Sequence, residues 1–290
     1  MSTFDEIERA DVADLPTKLR VGAFYKGTDA VSKFAESMMI PVLNGQINLS
    51  DKEKAVVGTY YRMYGWVRSM VAMNHRLHFQ GAAAAARSLF ELLLDIKMLA
   101  NDKNGYLADK FHAFPGVEKF RVAQNLVSFC MNNANSTKLD CSHQQTFINS
   151  PGKQQAVNET IIKFWGKTKK GAPNRPKHWT GKDIQKRSHD LGPEYEELYL
   201  ETFSLFSWYI HSGSTGYAGL NEETLETCFG MSHSIAQKAF LEATVVCAEV
   251  MRISSVIFEF KEIIANLRLT PGRVLVDEQI KILEAAKSNR

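Results

Sequence analysis

The chain has 290 residues, of which 44% are hydrophobic and 23% charged, a balance typical of a globular protein, long enough for one large domain or two small ones. No run of about 18 uncharged apolar residues occurs, which excludes a helix that spans a bilayer, and the start Met1-Ser-Thr-Phe-Asp5-Glu6 lacks the basic and apolar stretches of a secretion signal. The net charge of +3 is unevenly placed: from Lys163 to Arg187 nine basic residues stand against one acid, Asp183, so that segment carries +8 and the remainder −5, an asymmetry that marks an anion or nucleic-acid contact.

Eight prolines and eighteen glycines favour long elements over many short ones. Residues 4–14 predict a short acidic helix. A second helix runs from Asp29 to about Ile40, where Pro41 stops it. Ser50-x-x-Glu53 is a capping box. It opens a long helix to about Phe79 that carries Tyr60, Tyr61, Tyr64, Trp66, Val67 and Met70 at helical spacing. Gly81 and five alanines lead into Arg87-Ser-Leu-Phe-Glu91-Leu-Leu-Leu-Asp95-Ile-Lys-Met-Leu-Ala100, strong helix formers ended by Asn101 to Gly105.

Residues 106–132 predict a helix kinked or broken at Pro115, and 133–150 a polar loop. Ser150-Pro151 reads as N-cap and first position of a helix to about Trp165. The basic stretch from Gly166 to Trp179 is a loop. Thr180-x-x-Asp183 starts a short helix that Gly192 ends. Pro193 begins a helix to His211, and a Gly-rich loop over 212–219 follows. The longest apolar-periodic helix spans Ser232 to Leu267, and a last one runs from about Val276 to Ala286. Strand alternation and fixed-period repeats are missing. The expected fold is all-α, a bundle of roughly seven to ten helices with a single core. Its expected parts are an N-terminal helical extension (1–48), a bundle domain (49–268) and a C-terminal helix (269–290).

Arg87, Glu91 and Asp95 follow at four-residue steps and share a helix face, either as solvent-facing ion pairs or as the lining of a cleft. Ser204, Ser207 and His211 share a face too. His211 stands at a helix C-terminus, where the dipole favours the imidazolium, as a cap or as a general acid/base. No G-x-S-x-G elbow surrounds Ser212 or Ser214, so serine hydrolysis is not expected. Arg68 and His75, two turns apart, form an alternative pair on one face with Tyr61 and Tyr64. His75 with His78, or Asp109 with His112, have metal-compatible spacing, but paired Glu-x-x-His motifs are missing; no metal and no cofactor is expected. Cations interleaved with aromatics hold phosphates and stack bases, which marks Lys167, Lys169, Lys170, Arg175, Lys177 and Trp179 as candidate RNA contacts. Cys130, Cys141, Cys228 and Cys247 form no C-x-x-C pair and are expected as reduced thiols of a cytoplasmic protein.

Three passages, Ala-Ala-Arg87-Ser-Leu-Phe-Glu91-Leu-Leu-Leu-Asp95, Arg175-Pro-Lys-His-Trp179-Thr-Gly, and Tyr195-Glu-Glu-Leu-Tyr199 through Ser207-Trp-Tyr-Ile-His211-Ser-Gly, resemble in that order a family of bacterial all-helical domains of unknown function. The resemblance runs from about residue 50 to about residue 260. It implies that the Arg87/Glu91 helix and the Ser207/His211 helix build one site, and it supplies no activity. Arg68-Ser-Met-Val-Ala-Met-Asn-His75 resembles the arginine-to-histidine motif of the HEPN superfamily, helical ribonucleases of toxins and antiphage systems. The expected function is an RNA-directed effector of bacterial defence, a metal-independent ribonuclease or toxin. In it, His211 or His75 is the acid/base, and Arg87 or Arg68 stabilises the phosphorane charge. The alternative is a non-catalytic helical module for a protein or small ligand, in which Arg87, Glu91 and His211 form a polar network that fixes helix register. The alanine-rich helix and the long apolar helix leave room for a homodimer.

Overall fold

The structure, a computed structural model, describes residues 20–133, 138–203, 206–207 and 221–253, together with residues 281 and 284. The helix predicted over 4–14, the Gly-rich loop after His211 and, those two residues apart, the last predicted helix lie outside them. The described residues are all-helical and hold no strand, only an isolated bridge between Lys167 and Pro173. They form two compact units: residues up to 101 with those from 184 onward, and residues 102–183. No helix among them is long and apolar enough to cross a membrane.

In the first unit, α1 (Arg20–Phe34) runs through a π turn (Ala35–Met39) into α2 (Ile40–Asn44). Pro41 does not stop this helix as its sequence position suggests. It occupies the first turn of α2, where a missing N–H costs nothing and its fixed φ suits the helix. The capping box at α3 (Asp51–Ala72) forms as expected: Glu53 N donates to Ser50 Oγ (3.3 Å) and Ser50 N to Glu53 Oε2 (2.7 Å). α3 ends at Ala72, short of Phe79, and a 3-10 turn (Arg76–His78) precedes α4 (Phe79–Ala100). Side chains of α4 are buried around most of its circumference, from Ala82 to Leu99, the signature of a central helix.

Among the described residues, this unit continues with α8 (Ile184–Leu191), α9 (Pro193–Leu198), a π turn (Tyr199–Phe203) and α10 (Glu222–Val250). α10 packs along α4, α1 and α3. Tyr60 of α3 stacks on Phe240 (5.1 Å between centroids), and its hydroxyl meets Thr244 Oγ1 at 3.1 Å. Gly230 permits the α1–α10 crossing, since a Cβ there would stand 2.3 Å from Phe24 Cε2. Beside it, buried His233 Nδ1 meets Thr28 Oγ1 at 2.7 Å, and Gln237 Nε2 donates to the Phe24 carbonyl at 2.7 Å. Burial pushes His233 down to about 3, because a charged ring there would lose its hydration.

In the second unit, α5 (Tyr106–Asn132) starts on Asp102, whose Oδ2 accepts the Leu107 and Ala108 amides at 2.7 and 3.1 Å. Of the kink or break predicted at Pro115, the break does not occur: the helix runs through it. Pro115 is exposed, on the side where a carbonyl deprived of its donor is solvated. The predicted loop 133–150 contains α6 (Ser142–Ile148), because Phe147 and Ile148 pack on Val117, Phe120, Val157 and Ile161. Packing of an apolar edge outweighs the polar composition of the stretch. α7 (Lys153–Trp165) begins after Gly152 in the left-handed region (φ 72°), not at Ser150-Pro151.

The cysteines also correct the sequence reading. Cys130, in the last turn of α5, and Cys141, at the N-cap of α6, are joined in a disulfide, whereas Cys228 and Cys247 are free and buried. A C-x-x-C search cannot find such a pair, whose only need is that the fold bring two Cα atoms within bridging distance, here 6.7 Å.

Candidate functional site

The four-residue ladder on α4 gathers charged side chains of the first unit. Arg87 Nε donates to Glu91 Oε1 and Arg87 NH1 to Ser207 Oγ, each at 3.3 Å. The guanidinium carbon lies 4.2 Å from the centroid of Phe203, a cation–π contact that holds it flat against the π turn. Two residues singled out from sequence, Arg87 and Ser207, are thus brought together across 120 positions of chain, with Glu91 beside them. His211, the fourth, lies outside the described residues.

The ladder continues inward through a residue that sequence reasoning missed. Arg187 of α8 is 3% exposed, and its NH1 donates to Asp95 Oδ1 at 2.7 Å while NH2 lies 3.9 Å from Glu91 Oε2. In the sequence Arg187 counts as one of a run of surface cations. The helical register shows otherwise: Ile184, Arg187, Ser188 and Leu191 fall at the i, i+3, i+4, i+7 positions of an inward stripe, so a cation there needs a buried partner.

Two residues further along α4, Lys97 Nζ donates to Glu242 Oε1 and to the Tyr195 hydroxyl, and the Tyr195 hydroxyl donates to the same Glu242 oxygen. Burial, and then the Glu242 charge, hold the Tyr195 phenol well above its usual range, so it stays protonated as a donor. Lys238, one turn before Glu242 on α10, is 9% exposed. Its Nζ and Glu242 Oε2 are buried without a hydrogen-bond partner among the described residues. Burial pushes Lys238 down to about 7, against the opposing charges of Glu242 and Glu194. Burial thus lowers the basicity of an amine that feels the Glu242 and Glu194 carboxylates. The signal in the sequence is the i, i+4 spacing of Lys238 and Glu242 on α10.

The predicted RNA-contact residues lie in the second unit on a tight hairpin. Thr168 N donates to Ala172 O (2.7 Å), Asn174 N to Gly166 O (3.0 Å), and Gly171 turns with φ 80°. Lys167, Lys169, Lys170, Arg175 and Lys177 are exposed, and none of them forms an ion pair among the described residues. Arg175 NH1 donates to the neutral amide of Gln124 at 2.8 Å. Trp179 is a correction. It is 3% exposed and lies edge-on to Phe111 at 5.4 Å, and its carbonyl accepts the Trp165 indole N–H at 2.8 Å. A side chain sealed in this way cannot stack on a base.

The alternative pair does not assemble as its spacing implies. α3 ends at Ala72, so His75 lies beyond it and does not share a helix face with Arg68. Arg68 NH1 pairs with Glu36 Oε2 at 3.2 Å, and His75 Nδ1 accepts the Leu77 amide at 3.2 Å.

The fold and these clusters define a helical-bundle protein whose charged residues are organised on helix faces. A family model described as a family of unknown function, DUF5677, matches residues 53–226, and the chain belongs to that family. The match takes in the Arg87–Asp95 ladder, Arg187, Tyr195 and the hairpin. No curated protein and no solved structure matches the chain.

Proposed function

We propose that this protein is RNA-directed and that the hairpin from Lys167 to Lys177 is its contact surface. The observation that carries the reading is the hairpin itself: five exposed cations on a stiffened turn, none neutralised by a carboxylate among the described residues. Such an array suits successive backbone phosphates. Arg87, Glu91, Asp95 and Arg187, by contrast, are turned toward one another, and on this reading they fix the register of α4 and α8. The test is fluorescence anisotropy with a labelled single-stranded RNA. The variant Lys167→Gln/Lys169→Gln/Lys170→Gln should bind at least tenfold more weakly than wild type; equal binding by the two proteins contradicts the proposal.

A catalytic reading is favoured by one contact, that of Arg87 with Ser207, one helical turn in sequence before His211. In a metal-independent ribonuclease, Arg87 would stabilise phosphorane charge and His211 would transfer protons. Incubation with RNA in chelator tests it: cleavage lost in His211→Ala supports this chemistry, and no cleavage by wild type removes it while leaving RNA binding in place.

A further inference from the structure

α5 and α6 leave a groove between them that the RNA reading does not use. It encloses about 320 Å³ and is walled by Val122, Ala123, Leu126 and Phe147, with Lys119, His143 and Gln144 as its polar lining. Val122, Leu126 and Phe129 stand at i, i+4 and i+7 on α5, the spacing of a seam that receives another helix. Val122 is 47% exposed and Phe129 51%, large apolar side chains that a finished surface seldom leaves in such a row. The disulfide between Cys130 and Cys141 ties the end of one wall to the start of the other, so the cleft is preorganised.

The charge of the groove selects its occupant. No carboxylate lines it. Lys119, in the lining, and Lys153, outside it, place their ammonium groups 5.3 and 4.8 Å from the Phe147 ring centroid, so both cations stand against a ring that walls the groove. Gln144, in the lining, has an Oε1 that is buried and without a hydrogen-bond partner among the described residues. An apolar floor with a cationic rim matches an amphipathic helix that is apolar on one face and acidic on its flanks. Nucleic acid would satisfy the cations and leave the apolar seam in water.

We infer that the α5–α6 groove docks an acidic amphipathic helix of a partner protein, anchored by apolar side chains one and two turns apart. The full chain with its disulfide intact is titrated with two labelled synthetic helical peptides and a single-stranded RNA. One peptide carries leucine at i, i+4 and i+7 with glutamates elsewhere; the other replaces every glutamate by lysine. The acidic peptide should bind saturably, with a Kd below about 100 μM, and the basic one at least tenfold more weakly. Val122→Asp and Lys119→Glu, both at exposed positions and so neutral for folding, should each weaken the acidic peptide by about fivefold or more. Equal binding of the two peptides, no binding up to about 1 mM, or affinity unchanged in both variants overturns the inference. RNA that displaces the acidic peptide from wild type, and loses affinity in Val122→Asp, assigns the groove to RNA instead.

Discussion

Arg187 in the first unit and Arg175 in the second carry the same guanidinium to opposite ends. Arg187 is 3% exposed and is held by Asp95 and Glu91. Arg175 is exposed and meets only the neutral amide of Gln124 among the partners described for it. Burial makes the first charge dependent on its partners and useless to any ligand. Exposure leaves the second able to answer a polyanion. Arg87 stands between them, half-buried, with Glu91, Ser207 and the Phe203 ring around it. Position in the helical register, and not residue type, sorts the three.

The largest effect should fall on Arg187. Arg187→Ala leaves Asp95 buried without its cation, and denaturant unfolding should show a loss of roughly 3–5 kcal/mol. Arg187→Met combined with Asp95→Leu should recover most of it, because the desolvation cost of both charges goes as well. A loss under about 1 kcal/mol in the single variant would put Arg187 in the same class as Arg175.

Acid should weaken the first unit through His233. Its folded value lies near 3 against about 6.5 for a free histidine. The unfolded chain therefore binds the extra proton first, and stability falls as pH drops from about 6.5 toward 3, by a few kcal/mol. Lys238, lowered to about 7, acts with the same sign at higher pH. Stability should rise from about pH 7 toward about 10.5, where the unfolded chain alone is still protonated. Unfolding curves of His233→Gln across this range should lose the acid limb; if they keep it, buried His233 is not its source.

Smaller effects separate the units further. Reducing the disulfide, or replacing it by Cys130→Ser/Cys141→Ser, should cost the second unit about 2–3 kcal/mol from the short loop it closes, read as earlier exchange of α6 amides. Arg87→Ala should cost only about 1 kcal/mol. Arg175→Gln should leave stability unchanged, a null result that marks its cation as free for binding.

Much of this architecture can be read from the residues. The Ser50 box, the alanine and leucine run of α4 and the proline that opens α9 are local signals; α3 and α9 start where their signals stand, and the run lies within α4. The failures come from tertiary contacts. α6 exists because Phe147 and Ile148 find the Val117–Ile161 cluster, and no local pattern marks it. Trp179 looks like a stacking residue until Phe111 and Trp165 are seen around it. Helical spacing puts Arg87 and Glu91 on one face and Ser207 on another, and only the family resemblance implies that the two faces meet, as Arg87 and Ser207 do. Arg187 was not legible, because it stands in a run of basic residues that hides its inward place in the register of α8.

The salt dependence of RNA binding tests the hairpin most directly. Five cations on single-stranded phosphate should give a slope of log K against log salt of about −3.5. The triple glutamine variant, with two cations left, should give about −1.4. A slope near zero in wild type, or the same slope in both proteins, would show that the basic turn does not carry RNA.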